Sequence, residues 1–241
     1  MSSDYDDDYD DDYHDDYDDD YDYGYWKADE KELKRDFMNY ADPKTKRIVR
    51  EGYEKMGETL GINIYTDIFI TYFLYKCESK QLDFITEEDY IRGMKAFKCN
   101  TLKDLKDKIM GIREKLLEID GDNFRKFYYY LFDFNVSGGA EEKKTKSLSY
   151  DEVEVYFNGL FCEQFPVAKE FLVFLKEKKN KCGLKWDEWR TFLDFIQNQG
   201  KIFPKDYNPA EYYPVIVDDF YYWYCQKHGI KIKNPDEDEE I

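Results

Sequence analysis

The sequence predicts an all-α protein of roughly ten helices arranged in two lobes. Three observations lead to this fold class. Apolar residues recur at helical spacing along most of the chain, capping residues precede several of these stretches, and the alternation of strands and helices typical of a parallel sheet is missing. With 241 residues, of which 42% are hydrophobic and 19% aromatic, the chain is long enough to build a sizeable core.

The N-terminal segment differs from the rest of the chain in composition. Residues 1–26 are predicted to form a disordered acidic tail, because 13 of the first 25 residues are Asp and none is Lys or Arg. Tyr recurs there every fourth residue, but Asp is a poor helix former and the like charges repel each other. A second acidic tail is predicted for residues 236–241. His14, among the carboxylates of the first tail, has no arrangement of ligands around it that would define a metal site.

Charge is distributed unevenly along the chain. The formal net charge is −18, and the two tails carry all of this excess, because the 36 basic residues between them are matched by an equal number of acidic ones. A near-neutral body argues against nucleic-acid binding, which needs a positive surface, and against a polybasic membrane contact. No apolar run has the length of a membrane span, and the N-terminus lacks the pattern of a signal peptide. We therefore expect an intracellular protein, in the cytoplasm, the nucleus or both.

The N-terminal helical lobe is expected between residues 27 and 135, with an EF-hand-like arrangement but without calcium ligands. Its first two helices are predicted over residues 30–40 and 45–60. The apolar segment 65–75 has strand propensity, but its length and its helical neighbours favour a central buried helix.

The second half of this lobe carries local helix signals. Thr86 and Asp89 resemble a capping box, in which each residue bonds the backbone of the other. Residues 102–116 carry an amphipathic stripe at spacings of three and four. Asp122 or Asn123 is expected to cap the helix that follows.

The C-terminal helical lobe is expected between residues 148 and 235. Residues 136–147, which contain two glycines and many charges, are predicted to form the loop before it. Ser149 and Glu152 make a second capping box. Residues 200–213 are predicted to form another loop. Further helices are predicted over 165–175, from Trp186 through Ile196, and from Pro214 to about Lys227.

Motifs for catalysis are scarce. A nucleophilic triad needs a base, usually His, and the chain has only His14 and His228. Glycine-rich phosphate loops are missing. Cys225 and His228 have the spacing of a metal pair on a helix, but two further ligands are missing. The five cysteines form no CxxC pair and are expected to be reduced core thiols. We therefore expect neither an active site nor a metal or other cofactor.

Residues 120–122 are the best fragment of a calcium loop. A full loop from Asp120 needs Gly at its sixth position and Glu at its twelfth, where this chain has Arg125 and Leu131. A turn and helix cap is the better interpretation. A calcium-binding or metal-binding helical protein remains the alternative function, and a polyanion mimic acting through the acidic tail is a third.

Acidic residues near predicted helix starts allow two interpretations. Asp187, Asp218 and Asp219 complement the positive end of a helix dipole and need no partner for that. They also suit a paired acidic patch that receives Lys or Arg from another protein, with aromatic residues such as Trp189 and Tyr213 excluding water from the contact.

Several blocks of sequence carry a resemblance to a known family. The chain from about residue 47 to residue 224 resembles the defective-in-cullin-neddylation family, and residues 27–235 together resemble one potentiating-neddylation domain, the unit that this family shares. The matching blocks are TEEDYIRGM (86–94), FRKFYYYLFDF (124–134), LSYDEVEVYFNGLF (148–161), LKWDEWRTFLDF (184–195) and YYPVIVDDF (212–220).

This resemblance implies a scaffold-type ligase cofactor and not an enzyme. Members of the family hold the C-terminal winged-helix domain of a cullin, within a cullin-RING ligase complex, together with the neddylation conjugating enzyme. Proximity and orientation then speed transfer of the ubiquitin-like modifier without a catalytic side chain on the scaffold. A monomer is expected. Ubiquitin binding is not, because the Asp-Tyr tail stands where many relatives have a ubiquitin-binding module.

The resemblance also implies two binding sites. The family's cullin-binding patch, an acid, a small residue and a second acid, falls on Asp187, Tyr212 and Asp218. Tyr212 departs from the pattern, and its ring could partly fill the groove or select a divergent cullin. The second site is an apolar pocket for the acetylated N-terminal methionine in the tail of the conjugating enzyme. The positions that match this pocket are Tyr53, Ile70, Phe73, Ile85, Phe134 and Tyr156.

Overall fold

The computed structural model of the protein describes residues 26–80, 82–136, 146–178, 183–205, 207–209 and 214–232. Within these ranges the chain forms ten α-helices, and its only β-type pairing is two isolated bridges, which confirms the predicted all-α class. The predicted acidic tails, apart from Trp26, and residues 137–145 of the predicted loop lie outside the described residues. The two lobes, their boundaries and the EF-hand likeness stay predictions. The helices are α1 (Glu30–Tyr40), α2 (Arg50–Leu60), α3 (Ile68–Lys76), α4 (Glu87–Ala96), α5 (Leu102–Leu116), α6 (Asp122–Val136), α7 (Tyr150–Leu160), α8 (Pro166–Lys178), α9 (Trp186–Gln199) and α10 (Val215–His228).

Among the first three helices, α2 and α3 differ from the prediction mainly at their N-terminal ends. α1 begins and ends where the sequence predicts. α2 begins at Arg50, five residues later than predicted, because the carboxylate of Asp42 accepts two backbone N–H groups in a turn and Lys46 adopts a φ of 56°. α3 is a helix and not a strand, and it starts after Asp67, whose carboxylate caps it.

Capping determines where several helices begin. The boxes that start α4 and α7 confirm the sequence prediction, and α5 begins with a third that the sequence analysis did not single out. Pro214 is the cap of α10 and not its first residue, so this helix starts one residue later than predicted. The boxes pair Thr86 with Asp89, Thr101 with Asp104, and Ser149 with Glu152.

Helix α3 occupies the centre of the fold because it is apolar on nearly every side. All residues from Ile68 to Leu74 are buried, and the helix packs against α4, α6 and α7. On one side of it, α1 packs against α2 and α4, and α2 packs against α5. On the other side, α7 packs against α8, α8 against α10, and α6 against α9. Helices α3 and α6 therefore join the two halves of the core.

Tyr128 on α6 and Trp189 on α9 form a reciprocal contact in the core. Their rings stack with centroids 4.2 Å apart and planes 5° apart. The Tyr128 hydroxyl donates to the Trp189 carbonyl at 2.8 Å, and Trp189 Nε1 donates to the Tyr128 carbonyl at 3.0 Å. Both side chains are fully buried. The interpretation of Trp189 as a water-excluding residue at a partner surface is therefore wrong.

Two isolated antiparallel bridges position the segments that lead into four helices. Ile48 pairs with Ile85 ahead of α2 and α4, and Ser147 pairs with Lys185 ahead of α7 and α9. Ser147 lies in the predicted loop but is held by this pairing. A side chain at Gly183 would collide with the backbone of residue 148, so this close approach requires glycine. The second bridge fixes the start of α9 against the start of α7.

The cysteines of the described residues are core thiols, as the sequence predicts. Cys77, Cys99, Cys162 and Cys225 are buried and free. Burial raises the pKa of each of these thiols, that of Cys162 to about 11. Cys182 lies outside the described residues. No helix within the described ranges has the length and apolar composition needed to cross a bilayer.

Candidate functional site

A cavity of about 570 Å³ opens between α2, α3, α7 and the segment that precedes α4. This volume lies within the range of pockets that enclose a small ligand or the anchoring side chains of a peptide. Its apolar and aromatic lining residues are Tyr53, Ile64, Tyr65, Ile70, Leu74, Leu82, Val155 and Tyr156. Its polar and charged lining residues are Arg50, Asp67, Thr71, Asp83, Asp151 and Glu152.

Three of the six predicted pocket residues line this cavity. They are Tyr53 from α2, Ile70 from α3 and Tyr156 from α7. The amide of Asn135 donates to the Tyr156 hydroxyl at 2.6 Å, which fixes the ring, and burial raises the pKa of this hydroxyl to about 12. The Tyr53 hydroxyl is buried without a hydrogen-bond partner in the described chain, and burial raises its pKa well above the ordinary value.

The other three predicted pocket residues lie in the core behind the cavity and do not line it. Phe73 is fully buried and stacks on Phe97 with ring centroids 6.0 Å apart. Ile85 is fully buried in the first of the two bridges. Phe134 stacks on Tyr130 with centroids 4.9 Å apart. The helical spacing of apolar residues cannot separate a cavity wall from the core, because both positions are apolar.

The mouth of the cavity contains residues that the helical pattern does not single out. Tyr65 is 60% exposed and Leu82 is 52% exposed, so two large apolar side chains stand at the opening. Both belong to segments between helices, as does Asp83. A single large apolar residue in an interhelical segment is common on protein surfaces, so the sequence carries no signal for these positions.

The two predicted acidic residues of the cullin-binding patch lie at the starts of α9 and α10. Asp187 is exposed in the first turn of α9. Asp218 is half-buried in the first turn of α10, and the Tyr207 hydroxyl donates to its Oδ1 at 2.6 Å. Burial raises the pKa of Asp218, the Tyr207 hydrogen bond opposes this shift, and the charge of Asp219 adds to it. Tyr212 and its neighbour at 213 lie outside the described residues.

The contribution of Tyr207 to this acidic site could not be predicted from the sequence. It is 7% exposed and packs against Tyr221 with ring centroids 4.8 Å apart. It lies in the predicted loop 200–213, where no periodicity indicates burial.

The fragment proposed for calcium forms a turn and a helix start. The Gly121 N–H donates to the Glu118 carbonyl at 3.1 Å, and Asp122 is the first residue of α6. Cys225 is buried whereas His228 is exposed. Within the described ranges, no group of three or more His, Cys, Asp and Glu side chains is placed to hold a metal ion. The calcium or metal alternative therefore gains no support.

Comparison with known proteins identifies the family. Residues 104–223, which contain both acidic helix starts, match a family model described as cullin binding. DCN1-like protein 5 of Bos taurus is 27% identical over 188 residues, covering 78% of this chain and 75% of that protein. Its Homo sapiens counterpart is 27% identical over 187 residues, covering 78% and 74%. Defective in cullin neddylation protein 1 of Caenorhabditis elegans is 23% identical over 224 residues, covering 83% and 73%. Together these matches show that the chain belongs to the DCN1-like, defective-in-cullin-neddylation family and carries its cullin-binding domain.

Proposed function

We propose that this protein is a scaffold that promotes cullin neddylation by binding the C-terminal winged-helix domain of a cullin and the neddylation conjugating enzyme at the same time. The observation that carries the proposal is the cullin-binding match over residues 104–223. The thioester would be on the conjugating enzyme and the acceptor lysine on the cullin, within a cullin-RING ligase complex. The protein would act as a monomer, in the cytoplasm, the nucleus or both.

The acidic site supports the cullin half of this proposal. In the described part of the chain, neither Asp187 nor Asp218 has a basic partner, so both carboxylates are available to Lys or Arg. The Tyr207 hydroxyl holds one oxygen of Asp218 in place and leaves the other for an incoming cation. Because Asp218 is partly desolvated, a charge-assisted bond there is stronger than one in bulk water.

The cavity supports the conjugating-enzyme half. An apolar anchor, the acetylated methionine that the family resemblance implies, would contact Ile70, Leu74 and Val155. Full burial of a methionine side chain contributes about 1.5–3 kcal/mol. This contribution alone is less than the roughly 4 kcal/mol of a millimolar complex, so the anchor would act together with other contacts of the tail in a transient complex.

The scaffold would lower the barrier by orientation alone. Holding two reactants in a productive geometry removes much of the entropy loss of their encounter, which is worth several kcal/mol in rate. No nucleophile or base on the scaffold is needed for this effect. We therefore propose that the protein is an accessory factor and forms no covalent intermediate with the modifier.

A charge-reversal experiment tests the cullin contact. The variant Asp187→Lys/Asp218→Lys should lose measurable binding to a cullin C-terminal domain in a calorimetric titration, because each new lysine repels the partner's basic side chains. A matched control reverses two exposed acids outside both sites, Asp107→Lys/Glu163→Lys, and should keep the wild-type affinity. Circular dichroism should show the same helix content in all three proteins. Wild-type affinity in the first variant would overturn the cullin assignment.

A reconstituted transfer assay tests the whole function. With purified conjugating enzyme, modifier and cullin, adding the full-length protein should increase the initial rate of cullin modification. The protein itself should remain free of modifier on non-reducing gels. An unchanged rate at saturating protein would contradict the proposed function.

A further inference from the structure

The lining of the cavity carries an unequal distribution of charge. Four acidic residues and one arginine line it, all within the described ranges. The arginine is compensated, because Arg50 Nε lies 3.4 Å from Glu54 Oε1. The Tyr65 hydroxyl donates to the same carboxylate oxygen at 2.8 Å and holds the pair at the mouth. Arg50 therefore adds no net positive charge to the opening.

One of the four acids is compensated as well. Nη2 of Arg113 contacts both carboxylate oxygens of Asp67, at 2.6 and 2.5 Å. Asp67 also caps α3 by accepting the Phe69 N–H at 2.9 Å. This carboxylate has a structural role and is not available to a ligand.

The remaining three acids of the lining have no cationic partner among the described residues. Glu152 accepts two hydrogen bonds from Ser149 in the capping box, but these do not neutralise its charge. Asp83 and Asp151 are exposed and form neither a hydrogen bond nor an ion pair in the described chain. The mouth of an otherwise largely apolar cavity thus carries three uncompensated negative charges.

Local structural roles account for only part of this charge. Asp151 lies in the first turn of α7, where an acid complements the helix dipole. Asp83 lies outside any helix, in the segment before α4, and gains nothing from a dipole. The guanidinium of Arg47, near in sequence, lies 3.9 Å from the ring centroid of Phe84 and forms no ion pair with Asp83. Asp83 therefore faces solvent beside the opening, and in the described chain no cation compensates its charge.

We propose that Asp83 and Asp151 recognise a Lys or Arg side chain that follows the apolar anchor of the docked segment. The cavity then selects a peptide segment of one chemistry, with an apolar residue at its end followed within a few residues by a basic one. Charge complementarity at the mouth and the apolar wall below it lead to this occupant. This inference rests on the proposed function, in which the occupant is the N-terminal tail of the conjugating enzyme.

Two short synthetic peptides provide the test. Both begin with N-acetylmethionine, and one carries Lys at its third and fourth positions where the other carries Gln. By fluorescence polarisation at about 50 mM salt, full-length protein should bind the Lys peptide about three- to tenfold more tightly, the range expected for two exposed charge pairs. At about 500 mM salt this preference should largely disappear.

Variants locate the origin of that preference. Asp83→Asn/Asp151→Asn removes two of the three uncompensated charges and should lose most of the preference for the Lys peptide. The control Asp107→Asn/Glu163→Gln removes the same charge elsewhere and should keep the preference. Equal binding of the two peptides by wild-type protein, or a preference that persists in the first variant, would overturn this inference while leaving the scaffold proposal standing. Failure to bind either peptide would overturn the proposed pocket function and this inference with it.

Discussion

Asp36 is a buried carboxylate that ties three helices together. It lies on α1 and is 8% exposed. Its Oδ2 accepts the hydroxyl of Tyr90 on α4 at 2.6 Å and the backbone N–H of Leu102, at the start of α5, at 2.8 Å. Tyr90 is fully buried, so its hydroxyl has no access to water if this acceptor is lost. Two side chains and one backbone N–H, from three helices, form one polar junction inside an apolar core.

Replacing Asp36 by Ala should destabilise the protein more than removing the Tyr90 hydroxyl does. Each buried donor left without an acceptor costs about 1–3 kcal/mol, so Asp36→Ala, which orphans two, should lower the free energy of unfolding by about 2–6 kcal/mol. Tyr90→Phe removes one bond to a charged acceptor and should cost about 1.5–3 kcal/mol. In the double variant no hydroxyl is orphaned, so the loss should be smaller than the sum of the single losses by about 1–2 kcal/mol.

Urea denaturation of the full-length chain at neutral pH, followed by circular dichroism, measures these free energies. The control Asp107→Ala removes an exposed acid and should change stability by less than about 0.5 kcal/mol. Strict additivity of the two substitutions would refute the reasoning, since the junction would then contain no coupled pair. A loss of less than about 1 kcal/mol in Asp36→Ala would refute it as well.

Three further predictions concern the two sites and the tail. Gly159→Ala places a methyl group 2.8 Å from Cβ of Ile68, so thermal unfolding should show a loss of about 1–3 kcal/mol and the anchor peptide should bind more weakly. Asp218→Asn keeps an acceptor for Tyr207. Because burial raises the pKa of Asp218, its favourable contribution to folding is fully present below the unfolded-state pKa and is lost as pH rises through the folded-state pKa. The Tm at neutral pH should therefore be equal to or slightly above that of wild type, while calorimetry should show weaker cullin binding. Deletion of residues 1–25 should leave the modifier-transfer rate mostly intact; loss of most of it would favour the polyanion interpretation.

Local sequence signals predicted the parts of the fold that local interactions determine. The capping boxes at Thr86 and Ser149 are correct because every contact in them lies within four residues. The early start predicted for α2 is wrong because the turn at Asp42 competes with the helix for the same backbone groups. The role of Asp36 was not visible, because an acid in a charged helical segment looks solvent-exposed until the partner helices are in place.

The candidate sites were predictable to a smaller extent for the same reason. Apolar periodicity finds buried faces but does not single out a cavity. The family resemblance assigned Tyr53 and Tyr156, which line the cavity, together with Phe73, which lies in the core. Whether a buried face meets another helix or an opening depends on long-range packing. Tyr207 and Asp83 lie in segments without periodicity, so only the folded chain brings them to their sites.

The bridge between Ser147 and Lys185 connects the two candidate sites structurally. It holds together the first turns of α7 and α9, and these turns supply Asp151 to the cavity and Asp187 to the acidic patch. In the proposed scaffold, this bridge would keep the distance between the two bound partner proteins constant. Any variation in the distance between thioester and acceptor lysine would then come from the partners themselves, and a substitution at Gly183 would change the spacing of the two sites without altering a residue that contacts either partner.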